Sequence, residues 1–233
     1  MKISIIILVF NEKKTINFII DKIHELKNLK KEIIIIDDKS TDGTKKILKN
    51  LNSKLYNRII FHKKNHGKGG AIKTAKRYIT GDIVLIQDAD LEYNPKDYYK
   101  LLKPFKKKSI NVVYGSRVLN KKKYNLQKGF WVNFRVFANQ ALTIFSNLIN
   151  NQNLTDAHTC YKLFRSNIFK KIKLIENDFS FCPEITTKIF NARIDIKEVP
   201  ISYMGRSYSE GKKIGLYDGF KAVYTILKYK ILR

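Results

Sequence analysis

Four short apolar runs, each closing on a polar cluster, constrain this chain more than any other feature. Residues 3–10, 32–36, 82–87 and 111–114 are rich in Ile and Val. They are followed by Asn11-Glu12, Asp37-Asp38, Asp88-Ala89-Asp90 and Gly115-Ser116-Arg117. Runs this short and this β-branched read as buried strands. Between the first two, Ile16, Ile19, Ile20, Ile23 and Leu26 recur at helical spacing within residues 12–29. Residues 40–44 carry turn and capping chemistry for a helix through Leu51, and residues 58–62 form a further short strand. Asn65-His66-Gly67-Lys68-Gly69-Gly70 is a glycine-rich turn that opens a helix over residues 71–79. Strands alternating with helices imply βαβ units, hence an α/β fold with a mainly parallel sheet flanked by helices. Such sheets bind ligands beyond the carboxyl ends of their strands. One polar loop is ordinary; four at the same sheet edge make a site.

The second half has a different texture. Residues 129–149 form an aromatic-rich helix carrying Phe130, Trp131, Phe134, Phe137 and Phe145, with Arg135, Asn139 and Asn147 among its polar members. Residues 156–164 follow, then helices over 166–171 and 181–190, the latter with Pro183 in its opening turn. Residues 194–199 are a late strand. No internal repeat or low-complexity linker interrupts the chain. The organisation is therefore one catalytic domain over residues 1–205 and a basic, amphipathic helical tail over 206–233.

An apolar share of 44% excludes a wholly disordered chain, and two cysteines in 233 residues exclude a disulfide-stapled miniprotein. Cys160 and Cys182 read as reduced thiols. No stretch reaches the roughly 18 apolar residues of a spanning helix. The opening run resembles a signal peptide only superficially, since it is β-branched and lacks a small-residue cleavage site. Lys and Arg number 46 against 20 Asp and Glu, a formal net charge of +26. That excess asks for an anionic partner: nucleic acid, an anionic lipid surface or phosphorylated small molecules.

Asp88-Ala89-Asp90 is the strongest chemical signal. Two carboxylates at i and i+2 in a turn can meet one hard cation, and Mg2+ habitually shares carboxylates with substrate phosphates. Glu92 adds a third oxygen donor. In Asp37-Asp38-Lys39-Ser40-Thr41-Asp42-Gly43, a carboxylate at a strand end can accept ribose hydroxyls or the N–H edge of a base, while Ser40 or Asp42 caps the next helix. The glycine-rich turn at Lys68 lacks the P-loop pattern, yet it can favour an anion.

ILVFNEKKTI, IIIIDDKSTDGT, NHGKGGAIKTA and GDIVLIQDADLEYNP together resemble the inverting family-two nucleotide-sugar glycosyltransferases of the GT-A, Rossmann-like fold. YGSRVL, DAHTCYK, FCPEITTK and VPISYMGRSYSEGKKIG resemble the dolichyl-phosphate mannose synthase-like branch, whose members move a sugar onto a polyprenyl phosphate. The resemblance implies that Leu8, Phe10 and Glu12 cradle the nucleoside, and that Ile36 and Asp38 contact base and ribose. It also implies that Asp88, Ala89 and Asp90 hold the metal and diphosphate, with Glu92 where the branch often has Gln. Leu8 stands where proline is common. Arg117 matches the arginine of the G-[ST]-R motif, and Arg206 and Lys212 match a late basic pair that closes over the donor phosphates.

The expected chemistry follows from charge. A nucleotide diphosphate gains negative charge as the glycosidic bond breaks, and Mg2+ or Mn2+ with Arg206 and Lys212 would stabilise it most in the transition state. An acceptor phosphate is already anionic and needs little general base. It needs a cationic cradle, for which Arg117 and Arg135 are the candidates. Asp156 orients the acceptor, acts as a base, or serves only as an N-cap or in a salt bridge; Glu184 is open in the same way, and His66 and His158 are given no role. The expected reaction moves mannose or glucose from GDP-mannose or UDP-glucose to a dolichyl or undecaprenyl phosphate. The expected location is the cytoplasmic face of a membrane, with peripheral attachment or a separate membrane-anchoring partner. In the tail, Phe220, Val223, Tyr224, Leu227 and Ile231 interleave with Lys221, Lys228 and Lys230, a pattern suited to an interfacial helix with snorkelling lysines. The rivals are a family-two enzyme acting on a sugar hydroxyl in envelope polysaccharide synthesis, a sugar-phosphate nucleotidyltransferase and a nucleic-acid-binding protein. Dispersed basic residues and the absence of common binding motifs argue against the last.

Overall fold

The computed structural model describes residues 1–119, 130–206 and 216–232. Its centre is β1 (Ile3–Val9), in which all seven residues are buried. The strand lies between β2 (Lys31–Asp37) and β4 (Ile83–Asp88), parallel to both. β3 (Arg58–Phe61) extends the sheet beyond β2. On the other side come β6 (Lys162–Arg165), β5 (Val112–Ser116) and β7 (Ile196–Pro200), giving the order β3-β2-β1-β4-β6-β5-β7. β6 runs antiparallel to β4 and β5, and β7 is parallel to β5. The register levels the carboxyl ends of the three central strands: Val9 sits opposite Asp37, and Leu8 opposite Asp88.

Helix α1 (Ile16–His24) buries Ile16, Ile19, Ile20 and Ile23 on one stripe. It is shorter than the expected 12–29 because Asn11 takes a left-handed turn and Glu12 serves as the carbonyl that receives the Thr15 and Ile16 N–H groups. The next helix, α2 (Thr44–Lys49), is entered through Asp42, whose Oδ1 accepts from the Thr44 N–H at 3.0 Å. α3 (Gly67–Ala75) starts inside the glycine-rich segment rather than after it. A short helix, α4 (Tyr98–Leu102), precedes β5. After α5 (Phe130–Asn150), α6 (Ser166–Lys171) and α7 (Phe181–Asn191), the chain ends in α8 (Leu216–Ile231).

α8 packs on α5 and α7, burying Ala222, Thr225, Ile226 and Tyr229. Two of its lysines depart from the snorkelling expectation. Lys221 pairs with Asp178, and Lys228 Nζ donates to Glu176 Oε1 at 2.9 Å, so both dock the helix onto the loop before α7. Glu184 braces the same loop: its oxygens accept from the Ile175 and Glu176 N–H groups at 2.6 and 2.9 Å and from Lys188 Nζ at 2.6 Å.

Candidate active site

The levelled ends of β1, β2 and β4 open into a cleft of about 420 Å³. Leu8, Val9, Phe10 and Glu12 line it from β1, Asp38 from β2, and Asp88, Ala89, Asp90 and Glu92 from β4; Arg117 and Arg206 close it from later segments. Thus most of the residues expected at the site meet there. Ile36 does not. Side chains alternate along a strand, and the Ile36 side chain is fully buried in the core, outside the cleft lining.

Asn11 makes the first bend. Its N–H donates to Ser40 Oγ at 2.9 Å and its Oδ1 accepts from the Thr41 N–H at 2.8 Å. That bend returns Glu12 over the cleft, where its carboxylate meets the Arg206 guanidinium through Nη1 at 3.2 Å and Nη2 at 2.8 Å. Arg206 Nε donates to the Asp90 carbonyl at 2.7 Å, tying the late chain to the acidic turn. Arg206 is thus engaged by carboxylate and carbonyl oxygens at the mouth of the cleft. The Asp38 carboxylate accepts from His62 Nδ1 at 2.7 Å and from the His66 and Gly67 N–H groups at 2.8 and 2.7 Å. It therefore holds the first turn of α3 against β2.

Acidic groups crowd the centre. Burial, followed by the charges of Asp88 and Glu92, pushes the Asp90 carboxyl up to about 7. Asp88 Oδ2 accepts from Lys68 Nζ at 2.8 Å. The Glu92 carboxylate accepts from the Arg206 N–H at 2.7 Å and from the Tyr203 hydroxyl at 3.1 Å. Among the described residues no three acidic, histidine or cysteine side chains converge as a ready metal site. The Glu92 oxygens accept from the segment that carries Arg206, and Glu92 lines the same cleft as Asp88 and Asp90. Asp88 and Asp90 remain as a hard-oxygen pair whose mutual repulsion a divalent cation would relieve, and such a pair suits Mg2+ or Mn2+ shared with a diphosphate.

Arg117 and Asp156 form a bidentate ion pair with Nε–Oδ2 at 2.7 Å and Nη2–Oδ1 at 2.8 Å; the Arg117 N–H also donates to Oδ2 at 3.0 Å. The guanidinium lies over the Tyr203 ring, 5.1 Å from its centroid. Burial would raise the Asp156 carboxyl, but the charge of Arg117 and its N–H bonds outweigh it and hold the group below the usual carboxylate range. A carboxylate so engaged is a poor base. The arrangement is the salt bridge weighed for Asp156, and it fixes the position of Arg117. Arg135 lies on the part of α5 whose side chains are outside the described residues, and Lys212 is outside them altogether.

Residues given no role in the sequence reading also line the cleft: His158, Cys160 and Cys182 from the quoted motifs, and Asp178 and Phe179. Burial, then the charge of Lys162, pushes the His158 imidazole down to about 4, so it presents a neutral ring. Lys68 enters from the glycine-rich turn read as favouring an anion, whereas Asp178 and Phe179 carried no local signal.

Residues 4–173 match the Glycosyl transferase family 2 model. The chain is 30% identical to the UDP-N-acetylglucosamine–dolichyl-phosphate N-acetylglucosaminyltransferase of Methanococcus voltae, over 98% of this chain and 96% of that protein. It is 24% identical to the dolichol-phosphate mannosyltransferase of Pyrococcus furiosus, over 99% of this chain and 65% of that one. Among solved structures, glucosyl-3-phosphoglycerate synthase from Mycobacterium tuberculosis, in complex with Mn2+, UDP-glucose and phosphoglyceric acid, superposes with a TM-score of 0.74 at 17% identity, covering 98% of this chain and 79% of that one. The last likeness is one of fold, and it is the GT-A fold.

Proposed function

Because the chain belongs to glycosyl transferase family 2, we propose that it transfers a sugar, with inversion, from a nucleotide sugar to a polyprenyl phosphate at a membrane surface. Mannose and glucose were the sugars expected from the motifs. N-acetylglucosamine joins them, since a relative of nearly equal length is named for it. The observation that carries the reading is the crowding of Asp90 by Asp88 and Glu92 in a cleft at the strand ends, with cationic side chains around it.

The divalent ion, Mg2+ or Mn2+, would be held by Asp88 and Asp90 and would neutralise charge on the departing diphosphate. Leu8, Val9 and Phe10 offer an apolar wall to the nucleoside, and Asp38 stands beside them at the end of β2. Arg206 borders the acidic turn, where leaving-group charge would develop. Arg117 presents a guanidinium to the cleft with its orientation locked by Asp156, which suits a phosphate acceptor. A phosphate acceptor is ionised at neutral pH and needs no proton removed. A sugar hydroxyl acceptor does need a base, and the residue that reading relied on, Asp156, is committed to Arg117.

The membrane contact falls to α5 and α8. Phe137, Ile144 and Leu148 on α5 and Tyr217, Phe220, Tyr224 and Ile231 on α8 are exposed apolar side chains on two helices packed together. Among the described residues no helix is long and apolar enough to cross a membrane. We assign these helices to peripheral contact with an anionic, cytoplasmic leaflet, with or without a separate anchoring protein.

The test is a donor screen of GDP-mannose, UDP-glucose and UDP-N-acetylglucosamine against a short polyprenyl phosphate with Mg2+ or Mn2+. One donor should give a polyprenyl-phosphate sugar, and Asp90→Ala should abolish transfer with little change in the thermal melt. Transfer to a sugar hydroxyl but not to the lipid phosphate would favour the second family-two reading. Undiminished transfer by Asp90→Ala would remove the metal assignment.

A further inference from the structure

Lys68 takes no part in the transfer chemistry outlined above, although its ammonium sits inside the cleft. It stands in the first turn of α3, with Nζ 2.8 Å from Asp88 Oδ2 and 3.3 Å from Cys160 Sγ. The pair is mostly withdrawn from solvent, the lysine side chain being 11% exposed and the aspartate 22%.

The backbone that delivers Lys68 is braced on two sides. Asp38 holds the His66 and Gly67 N–H groups. From the other side, the Gly69 and Gly70 N–H groups donate to the carbonyls of Asp178 and Asn177 at 3.3 and 2.9 Å. Lys68 is therefore aimed at Asp88 by the fold, in contrast to a surface lysine that finds a carboxylate by chance.

Asp88 is also one of the two carboxylates proposed to hold the divalent ion. An ammonium at hydrogen-bond distance and a divalent cation on the same carboxylate repel each other strongly in a partly desolvated site. One must yield. Lysine has a flexible stem and three donors, and Lys68 lines the same cleft as Asp90 and Arg206. Its ammonium can therefore turn from Asp88 to a phosphate oxygen of the nucleotide.

We infer that Lys68 is a built-in counter-cation of Asp88, which opposes binding of the divalent ion alone and passes to the donor diphosphate when ion and nucleotide bind together. The inference rests on the metal-dependent reading above. Its thermodynamic content is a coupling: nucleotide tightens ion binding by giving the displaced ammonium a new partner, and by linkage the ion tightens nucleotide binding equally. Ordered, joint binding keeps a loosely held ion from occupying the cleft without substrate.

The experiment is a Mn2+ titration followed by the electron paramagnetic resonance signal of free Mn2+, with and without UDP or GDP, on the wild type, Lys68→Met, Lys68→Gln and Lys68→Arg. Without nucleotide, Lys68→Met and Lys68→Gln should bind Mn2+ roughly tenfold tighter than the wild type, because the competing charge is gone. The further tightening on adding nucleotide should shrink by a similar factor, and nucleotide at saturating Mn2+ should bind about tenfold more weakly. Lys68→Arg should keep the wild-type pattern. A purely structural lysine would, on removal, weaken ion and nucleotide alike. Wild-type Mn2+ affinity in both neutral variants would overturn the inference while leaving the metal-dependent reading intact. A wild type that takes up no Mn2+ with either nucleotide would overturn both. The two neutral variants differ in shape and polarity, so one misfolding leaves the other to decide.

Discussion

Arg117 and Asp156 lie fork against fork, two side-chain bonds of 2.7 and 2.8 Å joining β5 to the segment before β6 with almost no solvent access. Removing one partner of such a pair leaves an uncompensated buried charge, at a cost of about 3–5 kcal/mol. Asp156→Asn should lower the thermal midpoint markedly and also depress kcat/KM, since Arg117 loses its orientation. The double variant Arg117→Met, Asp156→Leu should recover much of the stability while staying inactive, because apolar replacement of a buried pair is often tolerated. Melting curves beside transfer assays separate the two effects. An active double variant would show that Arg117 does not serve the acceptor.

A second buried carboxylate, Glu32, sits at the opposite end of the central strands. It accepts from Ser4 Oγ, from Lys2 Nζ and the Thr80 N–H at 2.7 Å each, and from the Gly81 N–H at 3.1 Å. Burial opposes ionisation, but the bonds from Lys2, Ser4 and Thr80 prevail and lower the carboxyl to about 2. The folded form thus releases its proton more readily than the unfolded chain. The stabilisation is complete above the unfolded carboxyl pKa, about 4.3, and is lost as pH falls from there toward about 2. Urea midpoints at pH 5, 4 and 3 should fall steeply in the wild type and less steeply in Glu32→Gln. Parallel slopes would dismiss Glu32 as a source of acid sensitivity.

The two ends of this fold differ in how openly the chain announces them. β1, β2 and β4 are legible because parallel strands buried on both faces read as unbroken apolar runs, and the site carboxylates are legible because they follow those runs directly. β6 is concealed by Lys162, whose ammonium is buried, donates to the Ala157 carbonyl at 2.8 Å and lies 3.7 Å from the Tyr114 ring centroid. No local pattern foretells a lysine satisfied in that way, nor an antiparallel strand inserted between β4 and β5. α3 was expected to begin after its glycines, since glycine lowers helix propensity. Tertiary contact overrides the propensity there, because those glycines let the loop before α7 approach. The Lys68–Asp88 and Arg206–Glu12 pairs join residues 20 and 194 positions apart; such closures follow from the assembled sheet and leave no mark in sequence spacing.

Gly67 tests that close approach. Its φ is +73°, and a Cβ placed there would lie 2.6 Å from the Asn177 carbonyl oxygen. Gly67→Ala should therefore cost about 1–3 kcal/mol through backbone strain and contact together. It should also disturb the turn that presents Lys68, so nucleotide affinity should fall beyond what the loss of stability explains. Calorimetric binding at a temperature well below the midpoint measures this. A variant with wild-type melting would mean that the loop shifts freely and does not brace α3.

The apolar face of α8 makes the remaining prediction. Phe220, Tyr224 and Ile231 recur at spacings of four and seven, and all three are largely exposed while Ile226 and Tyr229 on the other side are buried. Lys221 and Lys228 hold the helix to Asp178 and Glu176, so substitutions on the exposed face should leave its docking intact. Phe220→Ser with Tyr224→Ser should reduce cosedimentation with anionic vesicles by tenfold or more, given about 1.5–3 kcal/mol for each large apolar side chain fully buried. Thermal stability should stay near the wild-type value. Transfer to a short, detergent-dispersed polyprenyl phosphate should change little, whereas transfer to the same acceptor in vesicles should fall with binding. Raising salt should weaken vesicle binding in both proteins, since the basic chain also contributes about 1 kcal/mol per lysine or arginine near an anionic leaflet. Unchanged cosedimentation of the double variant would overturn the assignment of the α8 face to a membrane surface.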